Sequence, residues 1–359
     1  MNVGLVAKAI EEDFLDYIMA HIAMVVTNAC APDPRVERHA KWMVDQGHSV
    51  EIIAWDRENC HPEMEKKNGY TIFRKRQGWT RRPGAIRTWF RKRKFIASVK
   101  INADLLILND TDTAGVDFAG KKLLDIHDMA HTWPLMRGNT ILHRKAANLM
   151  IEEARRIMED SDLIITSAKG FKQWIKSEGF DSQVVMNRRN PRTLNQTKEK
   201  VVGYFGRIRE IESIRHMHSA AKSANFRVIV AGDGLAVNQM LSEFPNIDYR
   251  GSFTEEELPE LVGEISVMYA MYSTKRGNIL QGAIPTKMLD AAAFGRPSVV
   301  NKNTPMGELC TQEKLGVTAS FGNIEEIADA LNQAHGLKIS DVKGEDKDVF
   351  LEIISKLLT

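Results

Sequence analysis

The sequence predicts an α/β protein with two Rossmann-like domains, each built on a doubly wound parallel sheet. Its 359 residues are enough for two domains of ordinary size. Short apolar runs rich in β-branched residues alternate with segments of helical periodicity. The alternation stops at a polar stretch near residue 190 and then starts again, which indicates two copies of one architecture.

The composition is that of a globular protein in a reducing compartment. Hydrophobic residues make up 43% of the chain and charged residues 27%. Three widely spaced cysteines, Cys30, Cys60 and Cys310, predict neither a disulfide framework nor a zinc site. No apolar run approaches the roughly 20 residues of a membrane span, and early acidic residues such as Glu11 and Asp13 argue against a signal peptide. We therefore expect a cytoplasmic protein.

The first half alternates strands and helices after a short amphipathic extension at residues 1–20. Strands are predicted at 22–26, 49–55, 103–108, 122–126, 162–166 and 184–186. Helices are predicted at 37–46, 142–159 and 168–178. Gly47 suits the C-terminal cap of the first helix. Residues 21–190 are therefore expected to form the first domain, on the acceptor side.

A polar linker at 187–200 precedes the second half. Strands are predicted at 201–205, 226–231, 248–250, 265–272 and 298–301. Helices are predicted at 213–223, 255–262, 286–294, 324–334 and 349–358. The second, nucleotide-binding domain would span 191–335, with a closing helical segment at 336–359. In such sheets a ligand binds beyond the carboxyl ends of the strands, where strand order reverses, so we expect two domains that face each other across a ligand cleft.

One segment, residues 74–100, has a one-sided charge. It carries eleven Lys and Arg residues, no Asp or Glu, and several interleaved aromatic side chains. Three interpretations are open: a solvated surface, a surface for anionic lipid or an anionic acceptor, or a nucleic-acid contact. We favour the second, because no nucleic-acid motif occurs elsewhere, and we expect no nucleic-acid partner. The residues predicted for this membrane or acceptor patch are Arg81, Arg82, Trp89, Arg91, Lys92 and Arg93.

The segment IPTKMLDAAAFGRPSVV at 284–300 has the strongest chemical pattern. Thr286 is placed to cap a helix, and Lys287 and Asp290 lie on one face near its start. The helix dipole favours a carboxylate there, and this carboxylate can accept hydrogen bonds from two ribose hydroxyls. Lys287 and the free backbone N–H groups suit a diphosphate.

This segment resembles the signature "pnKlyEylaaGkPvv" of retaining glycosyltransferases of the GT-B fold, of the family 4 or group 1 type. The resemblance continues in GYFGRIRE at 203–210, VIVAGDG at 228–234 and YRGSFTEEELPELV at 249–262. In the first half it includes NACAPDPRVERHAKWMVDQGHSVEIIAWDR at 28–57 and LLDIHDMA at 123–130. It covers about residues 22–330, and the order and spacing of these motifs make it specific.

The resemblance implies a nucleotide-sugar-dependent glycosyltransferase that acts with retention on a glycan, lipid-linked or other acceptor. His127 would face the donor sugar and Arg207 would neutralise donor phosphate, as catalytic residues. The other implied donor-binding residues are Arg209, Lys287, Asp290, Gly277, Asn278 and Gly282. Asp33 and Arg35 would border the cleft. No cofactor and no metal are implied, since the nucleotide sugar is a substrate and the leaving phosphate helps to deprotonate the acceptor.

Two departures from the family pattern leave alternatives open. Many members have two Glu residues eight positions apart, where this chain has Gly282 and Asp290. The usual Lys after the Gly-Arg pair is Glu212 or Ser213 here, and its substitute could be Arg209, Arg215, Lys275 or Lys287. An inactive partner subunit and a sugar-nucleotide epimerase of the same fold therefore stay open.

Two further interpretations are disfavoured. A nicotinamide-dependent oxidoreductase would need G-x-G-x-x-G after the first strand, where the chain has TNACAP. The paired aspartates Asp110 and Asp112 resemble a metal motif, but their loop has a counterpart in the family that needs no metal.

Overall fold

A computed structural model describes residues 19–77, 84–195 and 197–359. Nearly all of the predicted 1–20 extension, and the patch residues Arg81 and Arg82, lie outside these residues. In the described ranges, none of the helices has the length and apolarity that a membrane-crossing segment needs.

The first half of the chain forms a sheet whose described strands run in the order β3-β4-β2-β1-β5-β6-β7-β8. These strands are β1 (His21–Val26), β2 (Ser49–Asp56), β3 (Met64–Lys67), β4 (Tyr70–Arg76), β5 (Leu105–Asn109), β6 (Lys121–Ile126), β7 (Leu163–Thr166) and β8 (Gln183–Val184). β1 pairs in parallel with both β2 and β5, so strand order reverses beside β1. The helices of this half are α1 (Pro34–Asp45), α2 (Ala85–Ser98), α3 (Thr132–Arg137), α4 (Ile141–Glu159) and α5 (Lys169–Ser177).

The expectation of a purely parallel first sheet is wrong at its edge. β3 and β4 form an antiparallel hairpin, and Asn68 and Gly69 at its turn have φ angles of 49° and 88°. Asn-Gly with two positive φ angles is the usual two-residue hairpin turn, because its twist matches that of the strands. The dipeptide was the signal in the sequence, and the prediction overlooked it.

The second half forms a parallel sheet with described strand order β11-β10-β9-β12-β13-β14. The strands are β9 (Val201–Phe205), β10 (Arg227–Ala231), β11 (Asp248–Tyr249), β12 (Val267–Ala270), β13 (Ser298–Asn301) and β14 (Gly316–Ala319). The helices are α6 (Ile211–Ser223), α7 (Val237–Glu243), α8 (Leu258–Glu264), α9 (Gly277–Gln281), α10 (Thr286–Ala293), α11 (Pro305–Gln312), α12 (Ile324–His335) and α13 (Lys347–Leu358). Strand order reverses between β9 and β12, which is the switch point of a doubly wound fold.

The chain divides into two compact units that do not coincide with the two sheets. Unit 1 comprises the described residues of Met1–Asp125, together with Glu153–Ile164 and Lys347–Thr359. Unit 2 comprises Ile126–Glu152 and the described residues of Ile165–Asp346. α13 belongs to unit 1, where Phe350 stacks on His39 of α1 with ring centroids 4.1 Å apart.

The core of unit 2 follows from the apolar strands. All five residues of β9 and all four of β12 are buried, as expected for central parallel strands covered on both faces. Residues of α6 and α12 pack on one face, and residues of α8 and α10 pack on the other. These layers fix the carboxyl ends of β9 and β12, where polar loops begin.

Candidate functional site

The candidate site lies in unit 2, at the switch point between β9 and β12. The loop after β9 contains Gly206 to Glu210, and the loop after β12 contains Met271 to Arg276. The backbone N–H of Ser273 donates to Oε1 of Glu210 at 3.2 Å and joins the two loops. The hydroxyl of Tyr204, near the end of β9, donates to the carbonyl of Arg207 at 3.3 Å. The two loops therefore meet where the fold places ligands.

Lys287 is a buried cation within this site. It lies in the first turn of α10 with only 8% of the residue exposed, and its Nζ lies 3.3 Å from the ring centroid of Tyr204 and 5.3 Å from that of Tyr272. No described residue hydrogen-bonds to this Nζ. Burial, followed by the charges of Arg276 and Arg209, lowers the pKa of Lys287 well below its ordinary value. Buried polar groups are normally hydrogen-bonded, so an unpaired amine here indicates a place for an anion.

Arginine side chains surround the same point. Arg209 is exposed and Arg276 is half-buried, with the Arg276 guanidinium 5.0 Å from the ring centroid of Tyr272. Partial desolvation of its guanidinium lowers the pKa of Arg209, the charges of Arg276 and Arg207 lower it further, and the carboxylate of Asp128 opposes them. Together with Lys287, the arginines form a cluster of four cations, Arg207, Arg209, Arg276 and Lys287, which we call the cationic cluster.

The sequence analysis predicted three of these four cations and missed Arg276. The missed signal was a basic residue immediately before Gly277, in the loop that follows a central strand. Arg215 is excluded as a replacement for the missing lysine of the family pattern. Its guanidinium makes a bidentate ion pair with Glu243, with distances of 2.7 and 2.5 Å.

Glycines allow the backbones of neighbouring loops to approach closely beside the cationic cluster. A Cβ on Gly232 would lie 1.9 Å from the carbonyl oxygen of Gly206, and a Cβ on Gly234 would lie 2.1 Å from that of Ile208. All three glycines have positive φ, a region that non-glycine residues avoid. Gly206 itself faces Lys287, since a Cβ there would lie 3.8 Å from its Cε. Gly232-Asp233-Gly234 is thus required by close packing of the loops after β9 and β10.

Asp290 is held by an arginine that the sequence analysis did not single out. Nε of Arg189 donates to Oδ1 of Asp290 at 3.2 Å, and the same guanidinium pairs with Glu255. Burial acts to lower the pKa of Arg189, but the carboxylates of Asp290 and Glu255 outweigh it and raise that pKa. Arg189 lies in the segment predicted as a linker, where its role could not be distinguished from that of its basic neighbours.

α9 and Gly282 form the other predicted part of the site. Gly282 has φ 122°, and a Cβ there would lie 2.5 Å from the Cα of Gly170 at α5. A Cβ on Gly277 would lie 3.7 Å from that of Thr132. Asn278 is buried, and its side-chain oxygen has no hydrogen-bond partner among the described residues. The close approach at Gly282 explains why this chain has no glutamate there.

His127 directly follows β6 and is half-buried. The next residue, Asp128, accepts a hydrogen bond from the Met129 backbone N–H at 2.8 Å and interacts electrostatically with Arg209. The loop that carries His127 therefore lies within electrostatic reach of the cationic cluster.

Comparison with known proteins gives the family of the second sheet. Residues 199–336 match the family described as glycosyl transferases group 1. This region therefore has the sequence pattern of a group 1 glycosyltransferase domain. No curated protein matches the chain by sequence.

Solved structures give the fold of the whole chain. It is similar to sucrose-phosphate synthase from Thermosynechococcus elongatus, with a TM-score of 0.72 and 12% identity over 94% of this chain and 98% of that one. It is also similar to HepE of Anabaena, solved with UDP and glucose, with a TM-score of 0.63 and 14% identity over 94% and 99%. TarM of S. aureus is similar as well, with a TM-score of 0.64 and 10% identity over 96% of this chain and 100% of that one. At these identities the likeness shows the fold alone, and this fold is GT-B. The prediction of a GT-B glycosyltransferase is confirmed.

The switch point of the first sheet, in unit 1 of this glycosyltransferase, differs from that of the second. The predicted cleft residue Asp33 is the N-cap of α1, where its carboxylate accepts from the N–H of Val36 at 3.3 Å. Arg35 is buried in the first turn of α1 and makes a bidentate ion pair with Asp125, with its shortest contact at 2.7 Å. The guanidinium of Arg35, a residue that was predicted to border the cleft, is thus paired within the core of unit 1.

The Asp110–Asp112 loop of this sheet is also internally paired. Asp112 is buried and accepts a hydrogen bond from the hydroxyl of Thr27. Nη2 of Arg57 donates to the same hydroxyl oxygen at 3.3 Å. Burial lowers the pKa of Arg57, and the charge of Asp112 opposes this. Thr27, Arg57 and Asp112 lie in the chain that follows β1, β2 and β5, which are neighbouring strands of the sheet.

The basic patch is partly described, and its described residues lie on α2. Trp89 and Phe90 are 42% and 61% exposed, and the Arg93 guanidinium lies 4.8 Å from the Trp89 ring centroid. Nζ of Lys92 pairs with Glu153 at 3.0 Å, so Lys92 is not free to bind a surface. Arg91 is half-buried.

Proposed function

We propose that the cationic cluster binds the diphosphate of a nucleotide-sugar donor, and that the enzyme transfers the sugar to an acceptor with retention. The observation that carries this proposal is Lys287, a buried amine that has no hydrogen-bond partner among the described residues and faces the backbone at Gly206. Arg209 and Arg276 add positive charge within electrostatic reach. Two similar structures add support: HepE was solved with UDP and glucose, and starch synthase IV of Arabidopsis thaliana with ADP and acarbose.

The proposed chemistry uses the cluster in the transition state. When the bond from the anomeric carbon to the phosphate oxygen breaks, negative charge develops on the departing nucleoside diphosphate. Cations already fixed around that position stabilise this charge without a cost of reorganisation. His127 is proposed to face the donor sugar, and Arg207 to contact the phosphates. Retention follows from the family resemblance, with the departing phosphate as the group that takes the acceptor's proton.

Asp290 is proposed to hold the ribose of the donor. One of its oxygens is engaged by Arg189 at 3.2 Å, which fixes the orientation of the carboxylate in the first turns of α10. A carboxylate in a fixed orientation can accept hydrogen bonds from two vicinal hydroxyls. Arg189 is thus a positioning residue for Asp290 rather than a contact to the donor.

A glycan or lipid-linked molecule is proposed as the acceptor, at a cytoplasmic membrane surface. The observation that favours the membrane is α2, which exposes Trp89 and Phe90 beside basic side chains. Basic residues and exposed aromatic rings on one helix suit an anionic lipid–water boundary. Binding to vesicles of neutral and anionic lipid, at low and high salt, tests this: we expect binding only to anionic vesicles, weakened by salt.

An inactive partner subunit is the second candidate, and Gly282 favours it. Its close approach to Gly170 leaves no space for the side chain that many family members have at this position. A bound donor that is never hydrolysed or transferred in the presence of candidate acceptors would favour this alternative.

Calorimetric titration with UDP, GDP, ADP and NAD, with Mg²⁺ or with EDTA, tests the donor site. We expect micromolar binding of one nucleoside diphosphate, no binding of NAD, and no effect of EDTA, because the cluster supplies the positive charge. Arg209→Ala and Arg276→Ala should each weaken that binding roughly tenfold to a hundredfold. Arg215→Ala is the matched control, since that arginine pairs with Glu243 and should leave affinity unchanged. Failure of all diphosphates to bind would overturn the proposal.

A further inference from the structure

A cavity of about 550 Å³ lies in unit 1 beside α2, and none of its lining residues belongs to the cationic cluster. Residues of α2, residues from the end of α4, and the chain after β5 line it. Its volume is in the range of about 300–1,000 Å³ that is usual for small-molecule sites. None of the activities proposed above uses it.

The inner part of the cavity is apolar. Four buried apolar side chains line it: Ile96 of α2, Leu108 of β5, Val116 in the chain after β5, and Ile157 of α4. Ala97 lines it too and is exposed, which places it at the solvent side. A surface of this kind gains free energy when an apolar chain covers it.

The charged residues that line the cavity carry a net positive charge. Of its two carboxylates, Glu153 pairs with Lys92 at 3.0 Å and Asp160 pairs with Lys122 at 2.7 Å. Arg93 and Arg156 are exposed and also line the cavity. Neither makes an ion pair with a described residue, and Arg93 lies over the Trp89 ring. Two guanidinium groups at an apolar cavity suit a ligand with one anionic end and one apolar end.

We propose that this cavity binds a single anionic lipid, with the lipid chain on the apolar floor and the phosphate between Arg93 and Arg156. A free phosphate would leave the floor uncovered, and a neutral lipid would leave the arginines without a partner. Trp89 and Phe90, exposed on the same helix, would lie at the level of the neighbouring headgroups. The site goes beyond the proposed transfer reaction, because it selects one lipid molecule in addition to general attraction to a charged surface.

Titration with soluble short-chain lipids tests the ligand class. Dihexanoyl phosphatidylglycerol is used below its micelle concentration, with dihexanoyl phosphatidylcholine and glycerol 3-phosphate as the two partial ligands. We expect saturable binding of the phosphatidylglycerol and at least tenfold weaker binding of both partial ligands. Equal affinity for glycerol 3-phosphate would overturn the proposal, as would equal affinity for the phosphatidylcholine or the absence of binding by all three.

Variants of the cavity test its location. Ala97→Trp fills the cavity from an exposed helix position without removing a charge, and Arg156→Gln removes one guanidinium. Each should weaken dihexanoyl phosphatidylglycerol binding at least tenfold. Arg155→Gln, one residue away on α4 and outside the cavity lining, is the matched control and should change it less than twofold. Unchanged binding in Ala97→Trp and Arg156→Gln, or an equal loss in Arg155→Gln, would overturn the location. Nucleoside diphosphate titration of the same samples reports on the donor proposal separately.

Discussion

The switch points of the two sheets carry charged residues of the same kinds but in opposite states. In the first sheet the charges neutralise one another: Arg35 is paired with Asp125, and Asp112 is bonded to Thr27 beside Arg57. In the second sheet the cationic cluster has four positive side chains, and the Nζ of Lys287 is buried without a hydrogen-bond partner among the described residues. The same position in two similar sheets therefore stabilises the fold in one and, in our proposal, binds an anion in the other.

The difference teaches how a charged residue at a switch point can be interpreted. A buried cation with a carboxylate partner stabilises the native state only as part of that pair. Removing one partner leaves the other as an uncompensated buried charge. A buried cation without such a partner lowers stability until an anion arrives. Mutations at the first switch point should thus change stability, and mutations at the second should change ligand affinity.

Arg35→Met is expected to have the largest effect on stability. It leaves the carboxylate of Asp125, whose side chain is fully buried, without its bidentate partner, and breaking such a pair costs about 3–5 kcal/mol. Urea unfolding measures this loss, and nucleotide affinity of the folded variant should stay within twofold of wild type. A loss below about 1 kcal/mol would mean that the pair is not essential to the first sheet.

His39, beside the same ion pair, should make the first domain sensitive to acid. Burial, together with the charge of Arg35, lowers its pKa to about 4. Below pH 6.5, His39 is protonated in the unfolded chain but stays neutral in the folded protein. The free energy of unfolding therefore falls as the pH drops from 6.5 towards 4. The expected contribution is about 2–3 kcal/mol between pH 7 and pH 4. Urea unfolding at both pH values should show a smaller decrease in His39→Gln, and an equal decrease in both proteins would contradict the assignment.

Gly282→Ala tests whether packing explains the departure from the family pattern at the second site. A Cβ there meets the Cα of Gly170 at 2.5 Å and needs a positive φ, so we expect a loss of about 2 kcal/mol. Gly179→Ala is the control, because Gly179 also has a positive φ of 95° but nothing within 4 Å of the added Cβ. If thermal unfolding shows equal losses in the two variants, the contact with Gly170 is not the reason for the glycine.

The sequence predicted most of the fold because parallel strands are distinctive. β9 and β13 fall at the predicted bounds, since buried runs such as VVGYF end at glycine and polar residues. The hairpin of β3 and β4 was missed because its strands are largely polar and exposed, which weakens the apolar signal. Short helices such as α9 and α3 were also missed, because a helix of five or six residues has little periodicity.

The candidate site was predictable where a motif carried it and not where tertiary contacts create it. Lys287 and Asp290 were found because they are three positions apart on one helix. Arg189 was missed because it acts through Asp290, 101 residues away. Arg276 was missed because its contact with Tyr272 and its charge effect on Lys287 belong to no sequence motif. Arg35 shows the converse: the family resemblance placed it at the border of the cleft, and only the fold reveals its partner 90 residues away.

The most direct test of the contrast is Lys287→Met, measured for both stability and affinity. Methionine fills similar space between Tyr204 and Tyr272 and removes a buried amine that lacks a hydrogen-bond partner among the described residues. The account predicts an unchanged or higher free energy of unfolding, together with at least tenfold weaker binding of the preferred nucleoside diphosphate, about 1.4 kcal/mol. Wild-type affinity in the Met variant, or a loss of stability without a loss of affinity, would show that Lys287 serves the fold and would contradict the central claim.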